Sequence, residues 1–500
     1  MLSKIKGLIF ENKTAKQTVV KNMFWLSFSQ VGSRLIKAAI TIYAARVLGA
    51  SGYGTLSYVL GLTGFFTIFA DIGVNSILTR EIAKNSKDED RYFSTVAVIK
   101  LALLFFAAAL IVFISPYFSK IEEVKILIPF VALLIIFDGL RDLNMAFFRG
   151  KEKMELEAFV VTVTNVLITL FGFTTLYFWT TYKALLAAYI AASFCGFLIA
   201  TYFLREKWLK IRKDFTKQLV VPIARSAWPM AVGGIVGSFL FNVDIIMLGW
   251  WRTSSEIGLY SAAQRIVGLF YNIPSLLAIA VFPMFSRFIY ANNEEKVRSL
   301  TTRTITILFM AAIPIVIGGI LFKNQIINFV YGMNYAGAAD TFSVLIVSIF
   351  AIFPFAILND LVFAYDKQKK MLIYGVIAAL SNIVLNFFLI PLYGIMGAAI
   401  ATTFANILNV AMLWKFVKKI NKFKVLPQLF KIIISVAIMS ISVFILKELN
   451  VHLIANILLS AVIYFVSLYM FKDRIFMEIL SIFGKGYKKF TNKHEGSAEI

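Results

Sequence analysis

A single cysteine and two histidines are all that the 500 residues provide for redox, metal or imidazole chemistry. Cys195 lies inside an apolar stretch, so neither a disulfide framework nor a thiolate metal site can form within one chain. His452 and His494 fall in a connecting loop and in the tail, which removes a histidine-centred acid/base site from the interior. Charge is scarce at 15% of residues, and carboxylates are scarcer still, 27 against 50 Lys and Arg. Long connections are missing too. None exceeds about twenty residues, which leaves no room for the extramembrane catalytic segment that a membrane enzyme generally needs.

Apolar length fills the space that these absences leave. Hydrophobic residues make up 60% of the chain, far too much for a soluble globule, so the chain must use lipid as solvent. The spans fall at approximately 22–48, 54–78, 92–117, 124–148, 156–180, 184–204, 224–250, 256–286, 303–322, 340–364, 371–391, 394–416, 427–447 and 451–471. The runs are continuous and twice the length of a membrane strand, so helices are expected. The net charge of +23 does not indicate nucleic acid, because Lys and Arg sit in short loops between spans and not on the face of a soluble domain.

The basic residues alternate by side. With the N-terminus inside, about 37 Lys and Arg fall on the cytoplasmic side against about six outside, which predicts that both termini are cytoplasmic. Residues 1–21 read as a retained arm carrying Lys4, Lys6, Lys13, Lys16 and Lys21, without a signal-peptide cleavage site. The expected organisation is this arm, a six-helix lobe at 22–204, a basic linker at 205–223, a second six-helix lobe at 224–418, helices 13 and 14 within 419–471, and a cytoplasmic tail at 472–500. Trp179, Trp250, Trp251, Trp208 and Trp414 sit near expected span ends as interfacial anchors.

A repeat supports the division. Ser51-Gly-Tyr-Gly54-Thr-Leu-Ser57 opens the second span and Ser255-Glu-Ile-Gly258-Leu-Tyr-Ser261 opens the eighth, an offset of about 204 residues. Six spans is an even number, so the two halves start on the same side and are related by an axis along the membrane normal.

Arg46-Val-Leu-Gly-Ala-Ser-Gly-Tyr-Gly54 and Asp71-Ile-Gly-Val-Asn75 followed by Arg80 resemble the opening of the polysaccharide (O-antigen, lipid-linked oligosaccharide) flippases of the multidrug/oligosaccharidyl-lipid/polysaccharide exporter superfamily. Phe148-Arg-Gly-Lys-Glu-Lys-Met154, Tyr331-Gly-Met-Asn-Tyr-Ala-Gly-Ala338 and the run from Asn386 to Ala401 are similar to later patterns of that family, in the same order. The resemblance implies an all-α membrane protein of about fourteen helices, two six-helix lobes around a central cavity with two helices appended. It also implies alternating-access transport of a polyprenyl-phosphate or -pyrophosphate oligosaccharide. A drug or cation antiporter and a peptidoglycan-precursor flippase are the alternatives within the superfamily, and an enzyme of the pathway is the alternative outside it. The expected partners are the lipid-linked oligosaccharide and membrane lipids, with no nucleic acid and a monomeric chain.

Charged residues within spans mark the candidate sites, since each costs about 2.5 to 3.5 kcal/mol at a helix centre unless it faces protein or water. Arg34 and Lys37 share one face near mid-depth of the first span, and Arg265 lies within the eighth. Arg141 lies in the fourth, flanked by Asp138 and Asp142, where a structural ion pair is an equal reading. These cations suit a phosphate-bearing headgroup, because guanidinium presents paired donors and stays charged. Arg46, Lys100 and Arg225 are expected to snorkel to an interface, and Asp71 is expected to be structural. Asp244 and Asp360 are carboxylates at depth; with Asn382, Asn386, Thr402 and Thr403 they offer oxygen ligands for a coupling Na+ or H+, and no cofactor is expected. Gly233, Gly234 and Gly237 suggest close helix packing or a moving seam, and Pro229, Pro274, Pro283, Pro314 and Pro354 suggest kinks.

Overall fold

The computed structural model describes residues 15–84, 86–478 and 480–481. Most of the expected N-terminal arm and of the tail therefore lie outside the described residues. Every long element is an α-helix, and no strand occurs among the described residues. Among the described residues ten helical segments are long and apolar enough to cross a membrane. Helix α1 (Ala15–Phe66), which holds two expected spans, together with α4 (Glu122–Gly150) and α7 (Val220–Trp251), brings the set to fourteen. Large apolar side chains such as Phe105, Phe113, Tyr177 and Trp179 are exposed along these helices, as lipid-facing surfaces require.

The chain divides into two compact units, one of residues 1–262 with 383–398, the other of 263–382 with 399–500. The first unit begins with α1, whose 52 residues are interrupted at Gly49 by a φ of 66°, a conformation that glycine alone adopts without strain. Beyond the kink the helix runs to Phe66 and stops, although the apolar pattern predicts one span over 54–78. Residues 67–73 form successive turns, with Phe69 N donating to Phe66 O and Ala70 N to Thr67 O. Positive φ at Ile72 and Gly73 then redirects the chain into α2 (Val74–Lys84), where Asp71 Oδ1 accepts from Asn75 N at 3.2 Å. Helices α3 (Glu89–Ile114), α4, α5 (Met154–Phe178) and α6 (Tyr182–Phe203) complete this part. Their core joins Val74, Ile77 and Leu78 to Phe93, Leu143, Phe147, Val160 and Ala200.

Helix α7 lies along the second half of α1. Gly61 faces Ile245, Gly64 faces Asn242 and accepts from Ser238 Oγ, and Gly249 lies under the Tyr58 ring. Helix α8 (Ser254–Phe270) comes closer still. A Cβ on Gly54 would overlap the Ser254 carbonyl oxygen, and one on Gly258 would overlap the carbonyl of Ala50. These are the repeat-equivalent glycines of the sequence, here packed against each other. By contrast, Gly233, Gly234 and Gly237 meet nothing within 4 Å, so the packing expected there is made by Gly54 and Gly258 instead.

In the second unit the expected span over 256–286 is also broken. Helix α8 ends at Phe270, and α9 (Ile273–Tyr290) restarts after two residues. Helices α10 (Glu294–Leu321), α11 (Lys323–Tyr331), α12 (Ala339–Val347), α13 (Ile349–Ala364), α14 (Gln368–Tyr393) and α15 (Ile395–Ile420) follow. The last pair is α16 (Leu426–Glu448) and α17 (Leu453–Met470). Buried Ser442, Asn456 and Ser460 hydrogen-bond between these two, and Tyr464 Oη donates to Met310 O at 2.7 Å, fastening α17 to α10.

Candidate functional site

Asp244 is fully buried in α7. Tyr260 Oη donates to its Oδ2 at 2.8 Å, and Asn386 Nδ2 donates to its Oδ1 at 2.6 Å. Three helices thus converge on one carboxylate: α7 carries it, α8 supplies the phenol and α14 the amide. A buried carboxylate that a phenol and an amide hydrogen-bond offers oxygens that can exchange a proton or bind a hard cation. Nearby, Arg252 closes the end of α14 by donating to the carbonyls of Ile390 and Pro391, where cations complement exposed helix carbonyls. The sequence places Asp244 and Asn386 in one group of candidate oxygen ligands, and of that group the fold joins these two directly. Tyr260 was missed, although it belongs to the repeat segment.

A second polar cluster joins the turn before α2 to α3, α4 and α5. Arg141 Nη1 lies 2.8 Å from Asp138 and Nη2 3.4 Å from Asp142, so its guanidinium is engaged by both acids. Lys100 pairs with Asp71 at 3.4 Å and is only 1% exposed. The snorkelling expected of Lys100 does not occur, because the turn that breaks α1 from α2 brings a carboxylate to it. Asp142 lies within Coulomb range of Lys100 and Asp71, and Arg149 pairs with Glu157 at 3.3 Å. The cluster therefore holds three cations and four acids.

The other candidates are scattered. The Lys37 ammonium lies over the Tyr189 ring, 5.7 Å from its centroid, which stabilises a cation at depth. Arg34 is on α1, and its side chain lies outside the described residues. In the second unit Arg265 is exposed and Asp360 half-buried. Asn382 Nδ2 donates to Thr402 Oγ1 at 3.5 Å, and Thr403 Oγ1 donates to the Val344 carbonyl at 3.0 Å. At the basic linker, Lys207 pairs with Glu89 and Asp90. Burial alone would lower its ammonium, but the two acids outweigh that and hold it above the ordinary lysine range.

The second unit also contains a cavity of about 560 Å³ with almost wholly apolar walls. Helices α8, α10 and α12 line one side, with Ile266, Met310 and Phe342 among the wall residues. The final pair α16 and α17 lines the other through Met439, Ile457 and Tyr464. Its walls reach the last turn of α8 and the second half of α10, and a chain-like hydrocarbon would meet almost no polar group there.

A chain of fourteen membrane helices with an internal repeat, a buried carboxylate within a span and an apolar cavity has the build of a membrane transporter. It belongs to the family described as "Polysaccharide biosynthesis protein", which matches residues 19–289; the "MatE" family matches residues 229–388. It is 25% identical to the "Probable flippase AglR" of Haloferax volcanii, over 78% of this chain and 82% of that protein. With the "Capsular polysaccharide biosynthesis protein CapF" of Staphylococcus aureus it shares 21% identity, over 80% of this chain and all of the relative. Its fold is similar to that of an inward closed lipid II flippase MurJ, with a TM-score of 0.71 at 19% identity, covering 90% of this chain and 98% of the other.

Proposed function

We propose that this protein is a flippase. It moves an oligosaccharide carried on a polyprenyl phosphate or pyrophosphate across the cytoplasmic membrane for surface polysaccharide or glycan assembly. The cargo's headgroup crosses through the protein by alternating access while the tail stays in apolar surroundings. The observation that carries this reading is the apolar cavity between α8, α10, α12 and the appended α16 and α17, whose walls suit a long hydrocarbon. Family membership and relatives named as flippases support it. Arg34 and Lys37 in the first unit, and independently Arg265 in the second, are the cations assigned to phosphate recognition. Both termini are cytoplasmic, one copy of the chain suffices, and no covalent chemistry is required of it.

Coupling is assigned to Asp244 with Tyr260 and Asn386, through H+ or Na+. Asp360, Asn382 and Thr403 are secondary candidates in the other unit.

The test uses purified protein in proteoliposomes with a fluorescent polyprenyl-pyrophosphate oligosaccharide. Gly318 lines the cavity, and a Cβ there meets nothing within 4 Å, so Gly318→Leu should fold normally and intrude on the tail's space. Flipping of a long-tailed cargo should fall at least tenfold, and flipping of a short-tailed one should fall less. Equal flipping of both by the variant and the parent would remove the cavity from the mechanism. Cysteines at Lys213 and Lys422 should resist impermeant thiol reagents in intact cells, and labelling there would reverse the orientation.

A cation antiporter is the second reading. The excess of carboxylates in the Asp71, Lys100 and Arg141 cluster favours it, since such a surface attracts cations. Export of organic cations by the same proteoliposomes, with no movement of the sugar lipid, would select it.

A further inference from the structure

The second unit carries a separate polar cavity of about 470 Å³ at the helix ends, formed where the first turns of α10, the linker between α15 and α16, and residues 474–478 after α17 come together. Its lining includes Arg298, Arg303, Lys422, Lys424 and Arg474 against only two acids, Glu295 and Glu478. Glu478 pairs with Arg303 at 3.3 Å and with Arg474 at 3.5 Å. That leaves Arg298, Lys422 and Lys424 facing a single further carboxylate, an excess of positive charge with no role in the flipping path described above.

The walls are built and not merely a solvated charge run. Lys424 N donates to Thr302 Oγ1 at 3.4 Å, and Thr306 Oγ1 donates to Gln428 Oε1 at 2.8 Å, tying the linker and α16 to α10. Phe423, between the two linker lysines, is 1% exposed and packs on Trp414. On the opposite wall, buried Asp473 accepts from the backbone N–H groups of Ile475 and Phe476. Ile475 is buried in the cluster of Met310, Ile432 and Tyr464. Lys431 Nζ donates to the carbonyls of Phe471 and Lys472, tying α16 to the end of α17.

We propose that this cavity binds a phosphate-bearing anion at the membrane surface, supplied by the headgroup of an anionic phospholipid in the adjoining leaflet. Four observations converge on it. The cavity sits where apolar helices end, at the depth of lipid phosphates. Its volume falls in the range of small-ligand sites. Guanidinium and ammonium groups supply the donors that phosphate oxygens accept. Ser299 and Thr302 add hydroxyls suited to a glycerol or sugar headgroup. The anchored side chains make the site a property of the folded unit, so lipid retention is expected whether or not cargo is present. A cytoplasmic location for it rests on the proposed orientation; the binding itself does not.

Native mass spectrometry of the full chain, released from nanodiscs of phosphatidylcholine with graded phosphatidylglycerol, tests the site without any transport readout. The parent should retain phosphatidylglycerol in preference to phosphatidylcholine. Replacing Arg298, Lys422 and Lys424 together with Gln should weaken retention by about fivefold per cation removed. All three are exposed, so folding should survive, and single Lys422→Gln and Lys424→Gln variants keep the test available if it does not. The control variant changes Lys210, Arg212 and Lys213 to Gln. An equal loss of lipid in the control would mean unspecific attraction and would overturn the site. Added inorganic pyrophosphate at millimolar concentration distinguishes the source of the anion. If it leaves phosphatidylglycerol bound, the lipid assignment is supported. If it displaces the lipid, a soluble or cargo-borne phosphate is the ligand and the lipid assignment fails. Loss of lipid preference would leave the flippase reading untouched.

Discussion

The second and eighth spans are repeat-equivalent and break at the same place, Phe66 and Phe270, yet the two breaks are held differently. In the first half, seven residues separate the helices, and Asp71 within them reaches the buried Lys100. In the second half only Tyr271 and Asn272 intervene. There the position offset from Asp71 by about 204 is Ser275, whose Oγ donates to the Asn272 carbonyl, and the position similarly offset from Lys100 is Thr304, bonded back to Leu300. Tyr271 and Ser348 share a hydroxyl hydrogen bond at 2.9 Å. One break is thus held by an ion pair whose lysine is buried, and hydroxyl hydrogen bonds are seen at the other. Breaking a buried pair leaves an uncompensated charge, whereas exchanging neutral hydrogen bonds costs little. We read the first break as the stiff one and the second as the one free to flex, with discontinuous helices at matching positions marking the moving parts of a repeat transporter.

The largest expected effect tests what the two halves share. Gly54→Leu or Gly258→Leu would force a side chain into the opposing backbone, with a cost of about 3 kcal/mol or more and collapse of folded yield. Gly233→Ala, where nothing lies within 4 Å, should leave yield unchanged or raise it slightly, by about 1 kcal/mol of helix propensity. Fluorescence-detected size exclusion of both would check this. If the Gly54 variant remains monodisperse, the glycine contact is not what holds α1 to α8.

The comparison itself turns on Lys100. Lys100→Met should destabilise the protein by about 3 kcal/mol, the low end for a broken buried pair because Asp71 is partly exposed. The double change Lys100→Met with Asp71→Asn should recover much of that loss. Thermal unfolding that is indifferent to Lys100 would erase the difference between the two breaks.

Hydropathy displayed the helical spans, because they are written in local pattern. The breaks were not legible. Thr67 to Gly73 is as apolar as its flanks, and only the backbone reveals that Ile72 and Gly73 turn. Sequence alone suggests snorkelling for Lys100, because its partner lies 29 residues earlier in the chain, on a turn that apolar averaging hides. At Asp244 the carboxylate was visible as a charge in a span and Asn386 as a polar neighbour. The meeting of α7, α8 and α14 that sets Tyr260 beside them is tertiary, and no spacing in the chain encodes it.

Asp244→Asn comes next in size and concerns transport more than folding. The substitution is isosteric, and Tyr260 and Asn386 can each still hydrogen-bond the amide after a flip, so stability should change by about 1 kcal/mol. If the carboxylate couples the cycle, the H+ or Na+ dependence of flipping should disappear while sugar-lipid binding persists, since the charge matters only through its different affinity in the two states. A stable variant with unchanged ion dependence excludes coupling through this residue.

The smallest effect is the most telling for the contrast between the halves. Ser275→Ala removes one hydroxyl that donates to a carbonyl at an exposed position, so stability should fall by no more than about 0.5 kcal/mol. The same break should then tolerate Tyr271→Phe, which leaves the ring and removes only the hydroxyl shared with Ser348. If flexing at this break limits the rate, Tyr271→Phe should speed or slow flipping several-fold with little change in melting temperature, because the hydroxyl pair holds one bend of the helix and not the fold. A melting temperature that falls as far as in Lys100→Met would show that the second break is as rigidly built as the first, and hinge motion would then have to be sought elsewhere in the repeat.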